Sequence, residues 1–374
     1  MTDYRYVETA AALAEVIAAA RGEPLVAADT EAASFHRYKD RVYLVQLSTR
    51  RATSVIDPLP ITDFSPFGSL LTDDAVEKVF HDADYDLRTL DRDYGFRARH
   101  LFDTRIAAQL AGEPSIGLAA LLEKYLGVRL TKAHQRADWS QRPLTPAMLA
   151  YAADDTRHLP RLRDAMRERL TALGRLAWAE EEFRHLEDLR WTGPVDNGQA
   201  YQRIKGAKTL PPRSLAALRE LVAWREGVAA ERDTALFRVI SNEALLGVSR
   251  ALPRSPDDLA TIKDLPASLA RRHGAALVAA VARALALAER DLPTRERGPR
   301  APHDPDLDGR VERLKVARNS VAQQLGLDPG VLCGKSTLEA IARRRPADLA
   351  ALGRIEDVRN WQVEVLGTAL LAAL

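Results

Sequence analysis

Two acidic residues lie one residue apart at the end of an apolar run early in the chain, in "LVAADTEAASFHRY". If this run is a β-strand, Asp29 and Glu31 point to the same face, because side chains two positions apart on a strand share a face. Neighbouring carboxylates repel each other, and one is driven toward protonation unless a cation lies between them. The pair therefore has two interpretations: a metal site, or a strand end whose acids are simply hydrated.

Three more aspartates follow another apolar run, in "VFHDADYDLRTL", at positions Asp82, Asp84 and Asp86. They come where a strand ends and a helical pattern begins. The spacing alone does not choose among the three.

A third acidic group lies inside a helical pattern, in "LAYAADDTRHL". Tyr151 and Asp155 are four residues apart and share a helix face. A carboxylate beside a tyrosine hydroxyl suits metal binding together with the orientation of a water molecule. Taken by itself, however, the Asp154-Asp155 pair also fits an exposed, solvated helix surface.

Alternating strands and helices are predicted to position these residues in the first half of the chain. The strand-like runs are "PLVAADTE", "VYLVQLST", "ATSVIDP" and "EKVFHDA". The helical runs are "TAAALAEVIAAARG", "YDLRTLDRDY", "LFDTRIAAQLAG", "GLAALLEKYLG" and "TPAMLAYAADDTRHLPRLRDAMRERL". Pro160, inside the last of these, predicts a kink or a restart of the helix.

From about Pro194 the strand patterns end and the sequence is helical throughout, except for a predicted linker, "PTRERGPRAPHDPDLDG". Two C-terminal segments share one plan, ending in "SPDDLATI" and in "RPADLAAL". A repeat with so few copies favours duplicated small domains over a solenoid. We therefore predict an α/β domain over residues 1–190 and two helical domains over 191–295 and 296–374.

The composition is that of a multidomain globular protein: 374 residues, 46% hydrophobic and 28% charged, with a net charge of +2. Bulk charge therefore does not argue for nucleic-acid binding. A single cysteine excludes an internal disulfide. The sequence shows no secretion signal, no apolar run of the roughly 20 residues that a membrane helix needs, and no glycine-rich phosphate loop. A cytoplasmic location, without membrane contact, is expected.

In their order and spacing, the acidic motifs resemble those of the DEDDy 3′→5′ exonucleases, and within these the ribonuclease D family. Asp29-Thr-Glu31 is similar to the first motif. "HDADYDL" is similar to His-x-x-x-x-Asp-Leu, which singles out Asp86, and Tyr-x-x-x-Asp singles out Asp155 and pairs it with Tyr151. "LFDTRIAAQLAG", with Asp103, and the segment "KAHQRADWSQRPLTPAML" match as well.

The resemblance implies an RNase H-like exonuclease domain with a mixed central sheet flanked by helices. It also implies that two Mg²⁺ or Mn²⁺ ions are held by Asp29, Glu31, Asp86 and Asp155. Such ions can activate water and neutralise the charge that develops when a phosphodiester is cleaved. Tyr151 takes the position that orients the attacking water in this family.

Five further residues are candidates for substrate binding: Phe35, His36, Tyr38, Gln135 and Trp139. The first three follow the Asp29-Thr-Glu31 motif, where aromatic rings can stack on bases. Ordinary packing of a surface loop is the alternative for these three, and packing against the helix is the alternative for Trp139.

The C-terminal segments resemble HRDC domains, small helical modules associated with nucleic-acid contact. The first copy contains Arg232-Asp233, the start of the family's Arg-Asp-x-Pro feature, but has Ala235 in place of the proline. The second copy is looser, with Arg318-Asn319 at that point. Arginines of these copies either contact phosphates or serve as solubilising charges.

We therefore expect a metal-dependent 3′→5′ exoribonuclease that releases 5′-mononucleotides from single-stranded RNA ends, with tRNA precursors as substrates and no obligate protein partner. A DNA exonuclease and a non-catalytic nucleic-acid-binding protein are the alternatives. The complete set of four acids and one tyrosine argues against the last.

Overall fold

The computed structural model of the protein describes residues 4–131, 134–193, 198–293 and 304–374. These residues divide into two compact units. The first unit comprises the described residues within Met1–Glu31, Val42–Trp191 and Ala301–Leu374. The second comprises those within Ala32–Arg41 and Thr192–Arg300. The last helical segment thus packs with the N-terminal part of the chain, and the loop that follows the Asp29-Thr-Glu31 motif packs with the middle segment.

In the described part of the first unit, six strands form one sheet in the order β1-β4-β3-β2-β5-β6. Their bounds are β1 Arg5–Val7, β2 Leu25–Ala32, β3 Val42–Ser48, β4 Thr53–Ile56, β5 Glu77–Phe80 and β6 Leu101–Asp103. The pairs β1/β4, β2/β5 and β5/β6 are parallel, whereas β3/β4 is antiparallel. The predicted mixed sheet is confirmed.

Eight helices accompany the sheet within the described residues up to 191. They are α1 Ala10–Arg21, α2 Ser65–Leu71, α3 Asp84–Tyr94, α4 Thr104–Leu110, α5 Leu118–Leu126, α6 Pro146–Arg157, α7 Leu159–Ala172 and α8 Leu176–Glu187. The break between α6 and α7 falls at His158, two residues before Pro160, which confirms the predicted restart.

The prediction of one helix across "LFDTRIAAQLAG" is wrong in its first three residues. Leu101–Asp103 are buried and form β6, which pairs with β5. The helix begins only at Thr104, where the Asp103 side chain accepts hydrogen bonds from the first free backbone N–H groups. The short edge strand β1 was not predicted at all.

Strand β2 lies inside the sheet, between β3 and β5. Its first four residues are buried, and all seven residues of β3 are buried. Strands of this kind are apolar throughout because both faces of the sheet are covered. On the β3 side the cover is α6, since the Ser48 and Thr156 hydroxyl oxygens lie 2.8 Å apart. The end of β2, where Asp29 and Glu31 lie, is less buried than its first four residues.

The second unit is helical in its described residues. Its α-helices are α9 Pro212–Arg232, α10 Leu236–Val239, α11 Asn242–Ala251 and α12 Ala267–Leu285. Four single-turn 3₁₀-helices join them, at Ala200–Arg203, Ala207–Thr209, Asp257–Thr261 and Glu289–Asp291. A separate apolar core, with Leu218, Leu245 and Leu277 at its centre, holds this unit together.

The C-terminal helices belong to the first unit. They are α13 Leu307–Leu325, α14 Pro329–Leu332, α15 Lys335–Arg344, α16 Leu349–Gly353 and α17 Asn360–Ala372. Of the predicted linker, residues 294–303 lie outside the described residues, and its last residues already belong to α13. Within the described ranges no helix is long and apolar enough to cross a membrane.

The C-terminal helices are anchored to the N-terminal part of the first unit through α8 and α17. The Trp178 and Trp361 rings stack with centroids 5.1 Å apart and an interplanar angle of 16°. The Trp361 indole N–H donates to Glu182 at 2.8 Å. Glu181 accepts from the backbone N–H groups of Asn360 at 2.7 Å and Trp361 at 3.1 Å, so a carboxylate faces the positive end of α17.

Replacing Trp361 with alanine is expected to lower the free energy of unfolding of the first unit by about 3–5 kcal/mol, because a large buried side chain and its hydrogen bond are lost together. Thermal and urea unfolding monitored by circular dichroism measure the change. Val316→Ala, at a position that is 69% exposed, is the matched control and should change stability by less than about 0.5 kcal/mol. Equal stability of the two variants would contradict the anchoring role.

Candidate active site

Three carboxylates meet beside the carboxyl edge of the sheet. Asp29, Glu31 and Asp155 each offer one oxygen, and these oxygens all lie within 4.8 Å of one another. The first two come from the end of β2 and the third from α6, so residues far apart in sequence form one carboxylate cluster. The alternation predicted for β2 and the choice of Asp155 both agree with this geometry.

Asp86, at the start of α3, is buried beside this cluster and is oriented by Thr30. Its Oδ1 atom accepts from the Thr30 backbone N–H at 3.1 Å and from the Thr30 hydroxyl at 2.5 Å. The charge of Asp86 acts on Glu31, and that of Asp29 acts on Asp86. Thr30, in the middle of the first motif, was not predicted to have a role, yet it links two of the acidic motifs.

The electrostatics of the cluster are unfavourable without a cation. Burial, and then repulsion from Asp155, raises the pKa of Asp29 well above its usual range. Burial and three neighbouring carboxylates do the same to the pKa of Glu31. Burial and the charge of Asp154 raise the pKa of Asp155 to about 7. A half-buried donor set made only of carboxylate oxygens suits a hard divalent metal ion, which would hold these groups in their charged forms.

Tyr151 lies one turn before Asp155 on α6 and donates a hydrogen bond to its carboxylate. Burial and the neighbouring carboxylates raise the pKa of Tyr151 above its usual value, so the hydroxyl keeps its proton near neutral pH. Its ring packs against Trp139 at 6.1 Å and His134 at 5.9 Å, measured between centroids. The helix start is set by Thr145, whose hydroxyl accepts from the Met148 N–H at 3.2 Å.

Asp103 supports the site through hydrogen bonds to backbone N–H groups. One of its oxygens accepts from the Ala83 N–H at 2.7 Å, just before α3, and the other accepts from the N–H groups of Arg105 and Ile106 in α4. The side chain is 1% exposed, and burial raises its pKa. A single buried carboxyl group thus fixes the starts of two helices, one of which carries Asp86. The motif match included Asp103, but no role was predicted for it.

A cavity of about 370 Å³ lies next to the cluster and is lined by His81, Leu118, Thr131, Gln135, Tyr151 and Asp155, among others. The His81 Nδ1 atom lies 2.9 Å from the Thr104 hydroxyl, which itself donates to the Phe80 carbonyl at 3.0 Å. Because that hydroxyl proton is already used, Nδ1 must carry the proton of His81, and Nε2 is left as an acceptor. Burial lowers the pKa of His81 to about 4, so the imidazole is neutral at physiological pH.

The remaining candidates divide between the two units. Gln135 lines the cavity, whereas Trp139 is buried and packs against Tyr151, a position that fits the packing alternative. Phe35, His36 and Tyr38 belong to the second unit.

The three aspartates that the family motifs did not select form ion pairs outside the cluster. Asp82 pairs with Arg105, Asp84 with Arg88 at 2.8 Å, and Asp154 with Arg157 at 3.3 Å.

Comparison with known proteins identifies the family to which the chain belongs. A 3′–5′ exonuclease family model matches residues 4–171, and the HRDC domain model matches residues 214–281 and again 308–374. The chain is 33% identical to ribonuclease D of Pseudomonas paraeruginosa over 100% of its own length and 98% of the relative. The chain belongs to the ribonuclease D family.

Solved structures agree with the ribonuclease D assignment. The crystal structure of Escherichia coli RNase D, described as an exoribonuclease involved in structured RNA processing, matches with a TM-score of 0.74 and 30% identity, covering 99% of this chain and 98% of that one. The catalytic core of RRP6 from Trypanosoma brucei matches with a TM-score of 0.67 and 28% identity over 77% of this chain and 82% of that one. The predicted fold class and the predicted enzyme class, a 3′→5′ exoribonuclease, are confirmed.

Within the ribonuclease D pattern, the domain boundaries predicted at residues 190 and 295 stay predictions. The two HRDC domains fall in different compact units, the first with the loop 32–41 and the second with the exonuclease domain. Sequence repetition alone gives no signal for this division.

The raised pKa values predict how pH and metal act on stability. In the metal-free protein these carboxyl groups stabilise the folded state while they are protonated. This contribution to the free energy of folding is lost as pH rises through about 7, the pKa of Asp155. Asp155→Asn should therefore raise the melting temperature in chelator near pH ~8, by several degrees, and by much less near pH ~5. Differential scanning calorimetry at both pH values measures this.

Metal should reverse the order of the melting temperatures of the parent protein and Asp155→Asn. Mn²⁺ is expected to stabilise the parent, more at high pH because protons compete for the ligands, and to leave Asp155→Asn nearly unchanged. Asp84→Asn, which alters an exposed carboxylate in its ion pair with Arg88, is the matched control and should respond to Mn²⁺ as the parent does. If Mn²⁺ does not change the melting temperature of the parent protein, the metal site is refuted.

Proposed function

We propose that this ribonuclease D family member removes nucleotides one at a time from single-stranded 3′ ends of RNA, with 5′-mononucleotides as products and Mg²⁺ or Mn²⁺ as cofactor. The observation that carries the proposal is the half-buried carboxylate cluster of Asp29, Glu31 and Asp155, with Asp86 beside it and Tyr151 bonded to it. Two ions are proposed because phosphodiester cleavage by carboxylate sites commonly uses a pair.

Asp29, Glu31 and Asp155 would hold the ions, and Asp86 would add its second oxygen, since Oδ1 already accepts two hydrogen bonds from Thr30. When bound, divalent ions supply Lewis acidity, which makes water a stronger nucleophile and neutralises charge on phosphate oxygens. The fixed orientation of the ligands comes from the protein: the β2 backbone, the Thr30 hydrogen bonds and the first turn of α3, which Asp103 secures.

Tyr151 would orient the attacking water. Its hydroxyl proton is donated to Asp155, so the oxygen lone pairs are available to accept a hydrogen bond from water. Because its pKa is raised, Tyr151 acts as a neutral orienting group and not as a base. Packing against Trp139 holds the ring in place.

The cavity beside Tyr151 would receive the terminal nucleotide. The volume of about 370 Å³ is within the range of small-molecule sites. His81 offers a neutral acceptor through Nε2, and Gln135 offers both a donor and an acceptor, so the cavity can bind hydroxyl and amino groups of a nucleoside.

Precursors of structured RNAs, tRNA precursors among them, are the proposed substrates. The support is the 30% identity to the Escherichia coli exoribonuclease, whose description names structured RNA processing. The cytoplasmic location and the absence of an obligate protein partner stay predictions.

The test uses a 5′-labelled hairpin RNA with a single-stranded 3′ extension and a DNA of the same sequence. With Mn²⁺, we expect the RNA to shorten stepwise from its 3′ end to the hairpin, and we expect no shortening with chelator. Asp86→Asn should lower the rate by at least 10²-fold, whereas Asp84→Asn, which alters an exposed residue two positions away, should keep it. Faster degradation of the DNA than of the RNA would overturn the assignment to RNA.

Tyr151→Phe isolates the water-orienting role. Removal of one positioned hydroxyl should lower kcat by roughly 10–10³-fold with little change in KM, because an interaction made in the transition state is lost. Mn²⁺ affinity, measured by calorimetry, should be nearly unchanged. An unchanged kcat would exclude the hydroxyl from the reaction, and a kcat loss that excess Mn²⁺ restores would show that Tyr151 acts on metal binding.

A further inference from the structure

Two phenylalanines form an exposed pair in the second unit. Phe35 is 48% exposed and Phe237 is 55% exposed, and their ring centroids lie 6.3 Å apart at an interplanar angle of 72°. One comes from the loop 32–41 and the other from α10. Scattered single apolar residues are common on protein surfaces, but two large rings held edge to face and open to solvent are unusual enough to mark a binding site. We call Phe35 and Phe237 the aromatic pair.

The backbone on both sides of the aromatic pair is held rigidly. The Arg238 guanidinium donates to the Phe35 carbonyl at 2.6 Å, and the Ala235 N–H donates to the His36 carbonyl at 3.2 Å. These two hydrogen bonds connect the backbone around Phe35 to the segment that carries Phe237. The rings are therefore positioned before any ligand arrives, which lowers the entropy that binding would cost.

The rest of the loop is clamped to the same unit. Asp233 accepts from the backbone N–H groups of Tyr38 at 3.2 Å and Lys39 at 3.3 Å, and its carboxylate lies 3.7 Å from the Arg37 guanidinium. The Tyr38 hydroxyl donates to Glu226 at 2.9 Å. Tyr38, a predicted substrate-binding residue, thus has a hydrogen-bonded partner in the second unit.

The aromatic pair lies among both cations and carboxylates. The loop carries the cations Arg37, Lys39 and Arg41, and it faces three carboxylates, Asp40 of the loop itself together with Asp233 and Glu226. Arg238 adds a guanidinium beside the rings. Aromatic side chains interleaved with basic ones bind single-stranded nucleic acid, because bases stack on the rings while the cations lie near phosphates. Phenylalanine has no polar group with which to read a particular base, so the pair would accept any base.

We infer that the aromatic pair stacks an unpaired base of the RNA substrate, one other than the terminal base proposed to enter the cavity beside Tyr151. This inference rests on the proposed exoribonuclease function. Phe35 follows the metal-binding candidate Glu31 by four residues in the chain, so the same segment that ends in the carboxylate cluster continues into the stacking site. The pair acts in binding and takes no part in cleavage.

The experiment compares Phe237→Ala with the parent on a single-stranded RNA of ~10 nucleotides and on a dinucleotide. Loss of one stacked base should raise KM for the longer RNA by roughly 5- to 100-fold and leave its kcat unchanged. The dinucleotide should be cleaved equally by both proteins, because the substitution leaves the carboxylate cluster and Tyr151 unchanged. Phe237→Trp should keep the parent KM, whereas Phe237→Leu, which is apolar but has no aromatic face, should resemble the alanine variant.

An abasic scan identifies the stacked base. One abasic nucleotide is placed in turn at each position of the longer RNA, and affinity is measured by fluorescence anisotropy in chelator, where nothing is cleaved. At one internal position the abasic change should weaken binding to the parent but not to Phe237→Ala. The inference would be overturned if the abasic change and Phe237→Ala weakened binding independently at every position, or if a folded Phe237→Ala kept the parent KM. RNA binding by Phe237→Ala equal to that of the parent would indicate that the aromatic pair binds a protein partner instead.

The binding measurement also separates this inference from the proposed function. If the parent degrades no RNA but the abasic scan still finds one position sensitive to Phe237, the exonuclease proposal fails and the stacking site stands. If the parent degrades RNA and the scan finds no such position, the reverse holds.

Discussion

Mutual repulsion among four carboxylates, one buried and three half-buried, is the constraint on which the rest of the structure depends. Asp29, Glu31, Asp86 and Asp155 lie close enough to raise one another's pKa values, and burial adds to each. A flexible site would relieve the repulsion by moving apart. Here the end of an inner strand, a capped helix and a hydrogen bond from Thr30 prevent this, so the arrangement is relieved only by protons or by cations. The stability that the site costs must come from the apolar core beneath the sheet.

Two of the groups that enforce this geometry are uncharged hydroxyls. Thr30 holds Asp86, and Thr104 fixes the tautomer of His81. Asp103 secures the start of α3 by accepting from the Ala83 N–H. Neutral hydrogen-bonding groups orient the acids without adding charge to an already crowded site. Supporting contacts of this kind explain why a catalytic geometry needs a rigid fold around it.

Much of the site was predictable because strand and helix periodicity are local properties. Alternation put Asp29 and Glu31 on one face, and four-residue spacing put Tyr151 beside Asp155. The choice of Asp86 over Asp82 and Asp84 needed the family motif, since all three follow the same strand; the structure shows the other two in exposed ion pairs.

Long-range packing was not predictable. The three-residue strand β6 has the same apolar pattern as a helix start and is distinguished only by pairing with β5. Likewise, nothing in the repeated C-terminal pattern indicates that Trp361 of the second copy would stack on Trp178, or that the first copy would hold the loop 32–41. Such contacts depend on residues that are far apart in sequence, and each contributes little local signal.

Ala235 permits a backbone contact that the family's residue would exclude. The family resemblance leads one to expect proline at this position, but the Ala235 N–H donates to the His36 carbonyl, and proline has no N–H to donate. The departure from the family pattern in the HRDC domain thus adds a hydrogen bond to the loop that follows the first acidic motif. Because the acceptor is a backbone carbonyl, this bond restricts residue 235 to one that keeps its N–H but sets no requirement on the side chain at position 36.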